Sequence, residues 1–132
     1  MKYLLDTNIC IYFFKGLYHL DEKIENIGLQ NCAISEITLA ELIYGAEKSQ
    51  FPEKNLVLIE KFTNQISILP IFNGIKIFAK EKAKLRKEGK MTSDFDLLIG
   101  ATAIANKMIM VTRNVSEFNR FEGIKIENWV QQ

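Results

Sequence analysis

Three short runs in this chain are apolar at consecutive rather than alternate positions: Tyr3–Leu5, "NCAIS" over residues 31–35, and "MIMVT" over residues 108–112. A strand with one face in water alternates apolar and polar side chains, whereas a strand covered on both faces does not. Such runs call for a buried parallel sheet with helices above and below it. The intervening segments supply the helices. Ile9 through Phe14 reads as a helix closed by Gly16, and Asp21 to Ile27 as a second. Ser35 is a good N-cap for "EITLAELIYGAEKS", where Leu39, Leu42, Ile43 and Ala46 recur at helical spacing. Pro52 and Glu53 open a further helix to about Gln65, and "ISILP" after it reads as a strand. Residues 74–88 form a long charged helix with Ile75, Phe78, Ala79, Lys82 and Leu85 along one side. "MTSDFDLLIGATAIANK" is a capped helix of small residues suited to close packing on a sheet, and Ile124–Ile126 offers a last strand. The pattern predicts one α/β domain over residues 1–132, its largely parallel sheet covered on both faces.

Composition narrows the chemistry. With 17 basic and 16 acidic residues the formal charge is +1, so nucleic-acid binding has to rest on local patches. No apolar stretch approaches the roughly 18 residues of a membrane span. The N-terminal run carries Asp6 and no small-residue cleavage site, so no signal peptide is expected. Cys10 and Cys32 sit in apolar surroundings, which fits buried thiols and a cytoplasmic protein. His19 is the only histidine, which disfavours zinc sites and His-based general bases. Neither GxxxxGK[ST] nor GxGxxG occurs. Any catalysis falls to carboxylates.

In open parallel sheets, ligands bind beyond the carboxyl ends of the strands. Asp6 follows the first strand directly, and Thr112, Arg113 and Asn114 stand at the same end of "MIMVT". Glu41 lies two turns into the helix after the second strand, and Asp94 and Asp96 in the first turn of the small-residue helix. Each acid alone has a structural explanation. Asp6 could cap the next helix, Glu41 could sit on an exposed helix edge, and Ser93-x-x-Asp96 resembles a capping box. Together they mean something else: carboxylates brought to one rim repel one another unless a cation lies between them. Oxygen donors without His or Cys select a hard ion, Mg²⁺ or Mn²⁺, suited to phosphodiester hydrolysis by an activated water.

The stretches "LLDTNICIYFFKG", "ISEITLAELIYGAEKS", "DFDLLIGATAIA" and "VTRNVSEFNRFEGIKIENW" closely resemble, in order and over nearly the whole chain, the VapC-type toxins of bacterial toxin–antitoxin systems. These are built on the PIN domain. The resemblance implies a three-layer α/β/α sandwich with a central, largely parallel sheet of four to five strands. It also implies a Mg²⁺-dependent endoribonuclease, with tRNA the favoured substrate, leaving a 5′-phosphate and a 3′-hydroxyl. A VapB-type antitoxin that blocks the site, a homodimer and a hetero-oligomer with the antitoxin are implied as partners. By position, the resemblance assigns Asp6, Glu41 and Asp96 to the metal-binding acids. Thr7 and Asn8 match polar residues that steady the first acid, and Thr112 a hydroxyl near the metal. Asp94 becomes an extra acid nearby. The chain departs from many PIN domains at Asn114, where they place a fourth acid.

For RNA contact, Arg113 stands closest to the expected rim, and Arg86, Lys84 and Lys87 fall on one stretch of the long helix. That stretch also reads as a solvated helix face laced with Glu81 and Glu88. Two other classes of function fit the acids: a carboxylate–Mg²⁺ DNA nuclease or phosphatase, and a non-catalytic PIN-like binding module.

Overall fold

Five strands pair in parallel in the order β3-β2-β1-β4-β5. They are β1 (Tyr3–Leu5), β2 (Cys32–Ser35), β3 (Ser67–Leu69), β4 (Ile109–Val111) and β5 (Lys125–Glu127). The computed structural model describes residues 2–130; Met1, Gln131 and Gln132 of the expected domain lie outside the described residues. Between the strands run α1 (Thr7–Phe14), α2 (Leu20–Ile27), α3 (Glu36–Glu47), α4 (Pro52–Thr63), α5 (Ile75–Lys87), α6 (Asp94–Ala105) and the single turn α7 (Val115–Phe118).

The consecutive apolar runs split between two cores. Leu5, Cys32, Ile34 and Val111 face one side and pack with Ile9 and Cys10 of α1, Ile24 of α2, Leu42 of α3 and Phe62 of α4. Leu4, Ala33 and Met110 face the other and pack with Leu85 of α5, Leu97 and Ile99 of α6, and Phe118 and Phe121. Two-sided burial is the physical reason for the missing alternation, and the result is the α/β/α sandwich expected. The small-residue helix does approach closely: a Cβ on Gly100 would lie 2.6 Å from the Phe121 ring. Cys10 and Cys32 are free and buried, as expected.

Two helix faces differ from the sequence reading. On α3 the buried row is Thr38, Leu42 and Ala46, four residues apart, and Ile43 is exposed. On α5 the row turned inward is Phe78, Glu81 and Leu85, while Ile75 is 45% exposed. Glu81 is buried because Lys84 Nζ stands 2.8 Å from its Oε2, a close ion pair poorly angled for a hydrogen bond. An apolar count along the helix could not foresee a carboxylate taken inward with its own counter-ion.

Because β1 has β2 on one side and β4 on the other, strand order changes direction at the β1–β4 pair. The crevice at its carboxyl end is where such a sheet binds ligands.

Candidate active site

Leu5 pairs with Val111 in the last register position of β1 and β4, and Asp6 N–H donates to Val111 carbonyl at 2.9 Å. Asp6 and Thr112 therefore leave the sheet side by side. Asp6 does cap α1, its Oδ1 accepting from Thr7 N–H at 2.8 Å. Its other oxygen, Oδ2, accepts from Thr112 Oγ1 at 2.8 Å, and that hydroxyl accepts from Asn114 N–H at 2.9 Å. The carboxylate is only 4% exposed and cannot rotate without breaking both bonds. Burial pushes the Asp6 carboxyl above its ordinary 3.8; the hydrogen bonds from Thr112 and Thr7 oppose this, and the Glu41 and Glu117 charges add to it.

Glu41 reaches the same place through Thr7. Thr7 Oγ1 lies 2.6 Å from Glu41 Oε1 and 3.1 Å from Thr38 Oγ1. A hydroxyl has one proton, so Thr7 gives it to the carboxylate and accepts from Thr38, itself wholly buried. Thr7 thus links the two acids: its amide holds Asp6 and its hydroxyl holds Glu41.

Asp96 enters from the opposite side on the first turn of α6, where Asp96 N–H donates to the Ser93 cap at 3.1 Å. Its carboxyl is pushed up to about 6. Burial is the main cause, the Asp6 charge is next, Ser93 pulls the other way, and a hydrogen-bonding Glu117 adds to the rise. Glu117 is the acid missed in the sequence. Asn114 is neutral and exposed, yet a carboxylate stands at the site one turn further along, because α7 begins directly after Asn114 and presents Glu117. The signal was present as "NVSE", an N-cap residue followed three positions later by Glu. Here the Asn114 side chain makes no cap bond, and Glu117 faces Asp96.

Among the described residues, no three His, Cys, Asp or Glu side chains close round a single point. The acids instead form a half-open row, with Asp6 between Glu41 and the Asp96–Glu117 pair. Such a row is built for electrostatic work: four carboxylates, one of them nine-tenths or more out of water, with neutral hydroxyls as their fixed partners. Removing one such partner tests its worth. Thr112→Val should lower unfolding stability by about 1–3 kcal/mol, since it strips a buried carboxylate oxygen and the Asn114 amide of their partner. Urea denaturation at pH 7 measures this, and a loss below about 0.5 kcal/mol would mean the bond does not orient Asp6.

Comparison with known proteins agrees with this architecture. The PIN domain family profile matches residues 3–124, nearly the whole chain. The chain belongs to the PIN domain family. Among curated PIN relatives, ribonuclease VapC2 of Haemophilus influenzae is 41% identical, covering 98% of this chain and 99% of its own. The tRNA(fMet)-specific endonuclease VapC of Shigella flexneri is 38% identical, covering 98% of each. Among solved structures, DNA-bound VapBC from Salmonella typhimurium superposes with a TM-score of 0.91 at 37% identity, covering 98% of each chain. VapBC2 from Rickettsia felis, bound to a promoter DNA fragment, gives 0.90 at 34% identity, covering 98% of this chain and 99% of that one.

The remaining residues singled out in the sequence fall at varied distances from this PIN-domain crevice. Asn8 is exposed on α1. The carboxylate of Asp94 pairs with Lys82 of α5 at 2.9 Å, so it is occupied outside the row. Lys84 is tied to Glu81 and donates to Arg120 carbonyl at 3.4 Å. Arg86 and Lys87 are exposed at the end of α5. Arg113 does stand on the rim, bonded to Tyr12 rather than to an acid. Among the described residues no helix is long and apolar enough to cross a membrane.

Proposed function

We propose that this chain is the toxin of a VapB–VapC-type pair, an endoribonuclease that hydrolyses phosphodiester bonds in structured RNA with the help of Mg²⁺ or Mn²⁺. The observation that carries the reading is the crowding of Asp6, Asp96 and Glu117 at the crevice between β1 and β4, with Glu41 joined through Thr7. Like charges are held there by buried hydrogen bonds at the cost of raised pKa values, an arrangement that a divalent cation would relieve.

The donor set fits such an ion. All donors are carboxylate or hydroxyl oxygens, and Mg²⁺ retains several waters while taking only one or two carboxylates directly. A half-open row, rather than a closed cage, suits that habit. Asp6, Asp96 and Glu41 are the residues that would hold the ion or its waters, with Glu117 beside Asp96. When bound, the ion supplies polarisation of a phosphoryl oxygen and a water acidic enough to attack phosphorus.

The chain's own groups do the rest. Thr7 and Thr112 fix the direction of Asp6, so no reorganisation accompanies the charge that develops on phosphorus. Burial and the Asp6 charge push the Asp96 carboxyl up to about 6, so at pH 7 Asp96 is ionised and available to a cation. Glu117 and Glu41 are the carboxylates placed to accept the proton of the attacking water.

Similarity to tRNA-specific VapC endonucleases over nearly full length supports tRNA as substrate, and similarity to VapBC complexes supports an antitoxin partner. A homodimer fits the apolar side chains left on α4, where Val57 and Leu58 are exposed. The deciding experiment incubates purified protein with total tRNA and ribosomal RNA, with Mg²⁺ or with EDTA, and sequences the new ends. Cleavage at one or a few positions, leaving 5′-phosphates and abolished by EDTA, is expected. Intact RNA, or cutting indifferent to EDTA, would overturn the reading.

A further inference from the structure

An RNA strand approaching four carboxylates needs a cation on the rim to hold it. Lys82, Lys84 and Lys90 each lie within 4 Å of a carboxylate. Arg113 does not, among the described residues. It follows Thr112 directly, so its backbone is one residue from the hydroxyl that holds Asp6. Its Nη1 donates to Tyr12 Oη at 2.9 Å, and its guanidinium carbon lies 5.8 Å from the Tyr12 ring centre and 5.9 Å from that of Tyr18. The two rings meet edge to face, 5.1 Å apart. Tyr12 stands six residues beyond Asp6 on α1, about 9 Å up the helix. The guanidinium is therefore held at a fixed point over α1, on the rim but away from the acids themselves.

The two tyrosine rings pack partly against the core, but nothing about folding requires the arginine placed over them. The guanidinium is fully exposed, uses one of its five N–H donors on the protein, and buries no core. Yet the loop that supplies Tyr18 is held in a costly shape: Tyr18 and His19 are consecutive non-glycine residues at φ +59° and +54°. Strain of that kind concentrates at binding sites. Beyond Tyr18 the surface opens into a shallow cleft of about 330 Å³ lined by His19, Glu22, Lys23, Asn26, Asn128 and Trp129, which gives a strand somewhere to continue.

We infer that Arg113, braced by Tyr12 and Tyr18, is a nucleotide-docking point: its free N–H groups grip the phosphate next to the scissile one, and the tyrosine–guanidinium surface stacks the attached base. This rests on the ribonuclease reading above and names how the strand is held. Single-stranded loops, whose bases can be splayed onto aromatic and guanidinium planes, are the RNA it suits.

The test uses the full chain carrying Asp6→Asn, which keeps RNA intact, and a fluorescent mixed-sequence single-stranded 12-nucleotide RNA as probe. Anisotropy titrations over a salt series give Kd and its salt slope. Adding Arg113→Gln should weaken binding about five- to tenfold at 100 mM salt and flatten the slope by about 0.7, the share of one single-strand phosphate contact. Arg113→Lys should keep the slope and lose about two- to threefold in affinity, because charge survives and stacking does not. Tyr18→Leu should weaken binding at least about fivefold with the slope unchanged. Thermal melts confirm that each variant is folded. In the cleaving background, Arg113→Gln should raise KM with kcat nearly constant. Unchanged affinity and slope in Arg113→Gln overturn the docking point even if the wild type cleaves tRNA. Weakened binding alongside a wild type that cuts no RNA keeps the docking point and rejects the nuclease. A probe that does not bind at all rejects docking.

Discussion

Asp6→Asn is expected to lower RNA cleavage by at least about 10³-fold, equivalent to roughly 4 kcal/mol of transition-state stabilisation, while leaving the protein as stable as the wild type or more so. The two halves of that expectation have separate causes. Asparagine keeps the carbonyl that caps α1, and Asn is as good an N-cap as Asp, so the local structure is retained. What disappears is charge. The Asp6 carboxyl is raised above 3.8 in the folded chain, chiefly by burial, so the folded state holds the proton more tightly than the unfolded one. Stability from this group is therefore present below the unfolded pKa and lost as pH rises through the folded one. At pH 7 its ionised form costs stability, and the neutral amide removes that cost. A gel assay on tRNA with Mg²⁺ and a thermal melt at pH 7 read both halves. A variant that cuts as well as the wild type sinks the mechanism; one that is inactive because it is unfolded would contradict the account of burial.

The second large effect concerns Asp96. Asp96→Asn should reduce cleavage by about 10²-fold or more and remove a distinctive pH dependence. In the ion-free wild type the Asp96 carboxyl titrates near 6 instead of 3.8, through burial and then the Asp6 charge. Its contribution to stability is full below about pH 4, declines from there to about pH 6, and is flat above. Mg²⁺ should act in the opposite window. Above pH 6 the row is ionised, and Mg²⁺ at a hundred times its Kd adds about 2.7 kcal/mol. At pH 4.5 protons compete and the ion adds little. Melting temperatures from pH 4 to 8, in EDTA and in Mg²⁺, should show both trends in full in the wild type, and in Asp96→Asn a smaller loss of stability with rising pH, the part owed to Asp6, and little effect of Mg²⁺. A wild type and variant whose melting temperatures run parallel across that range would remove Asp96 from the site.

Much of this was legible in the chain before any tertiary structure. The runs of consecutive apolar residues predict strands buried on both faces, and Leu4 and Leu5 do point into opposite cores. The caps at Ser35 and Ser93 are local signals and are found where expected. Asp6 does cap α1 through one oxygen, while Thr112 holds the other on the rim, so the cap and a functional acid do not exclude one another. The misreading on α5 is equally physical. The α5 face was assigned by apolar count, but the buried row includes Glu81, because an adjacent lysine satisfies its charge. Asp94, read as an extra acid in the first turn of α6, does stand there. A helix turns about 100° per residue, so its side chain diverges from that of Asp96, and Asp94 pairs with Lys82.

By itself the sequence determined what local pattern determines: where strands and helices lie, that the sheet is parallel and covered twice, and that oxygen donors rather than histidine or cysteine stand at its carboxyl end. Those properties depend on side-chain periodicity and residue type, which need no partner to be read. Only the tertiary structure decided which groups meet. The bond from Thr112 to Asp6 spans 106 positions, the link from Thr7 to Glu41 spans 34, and Glu117 becomes a site residue only because α7 faces α6 across the strand-order switch. Contacts at that separation are set by strand order and helix docking, and sequence periodicity carries no record of either.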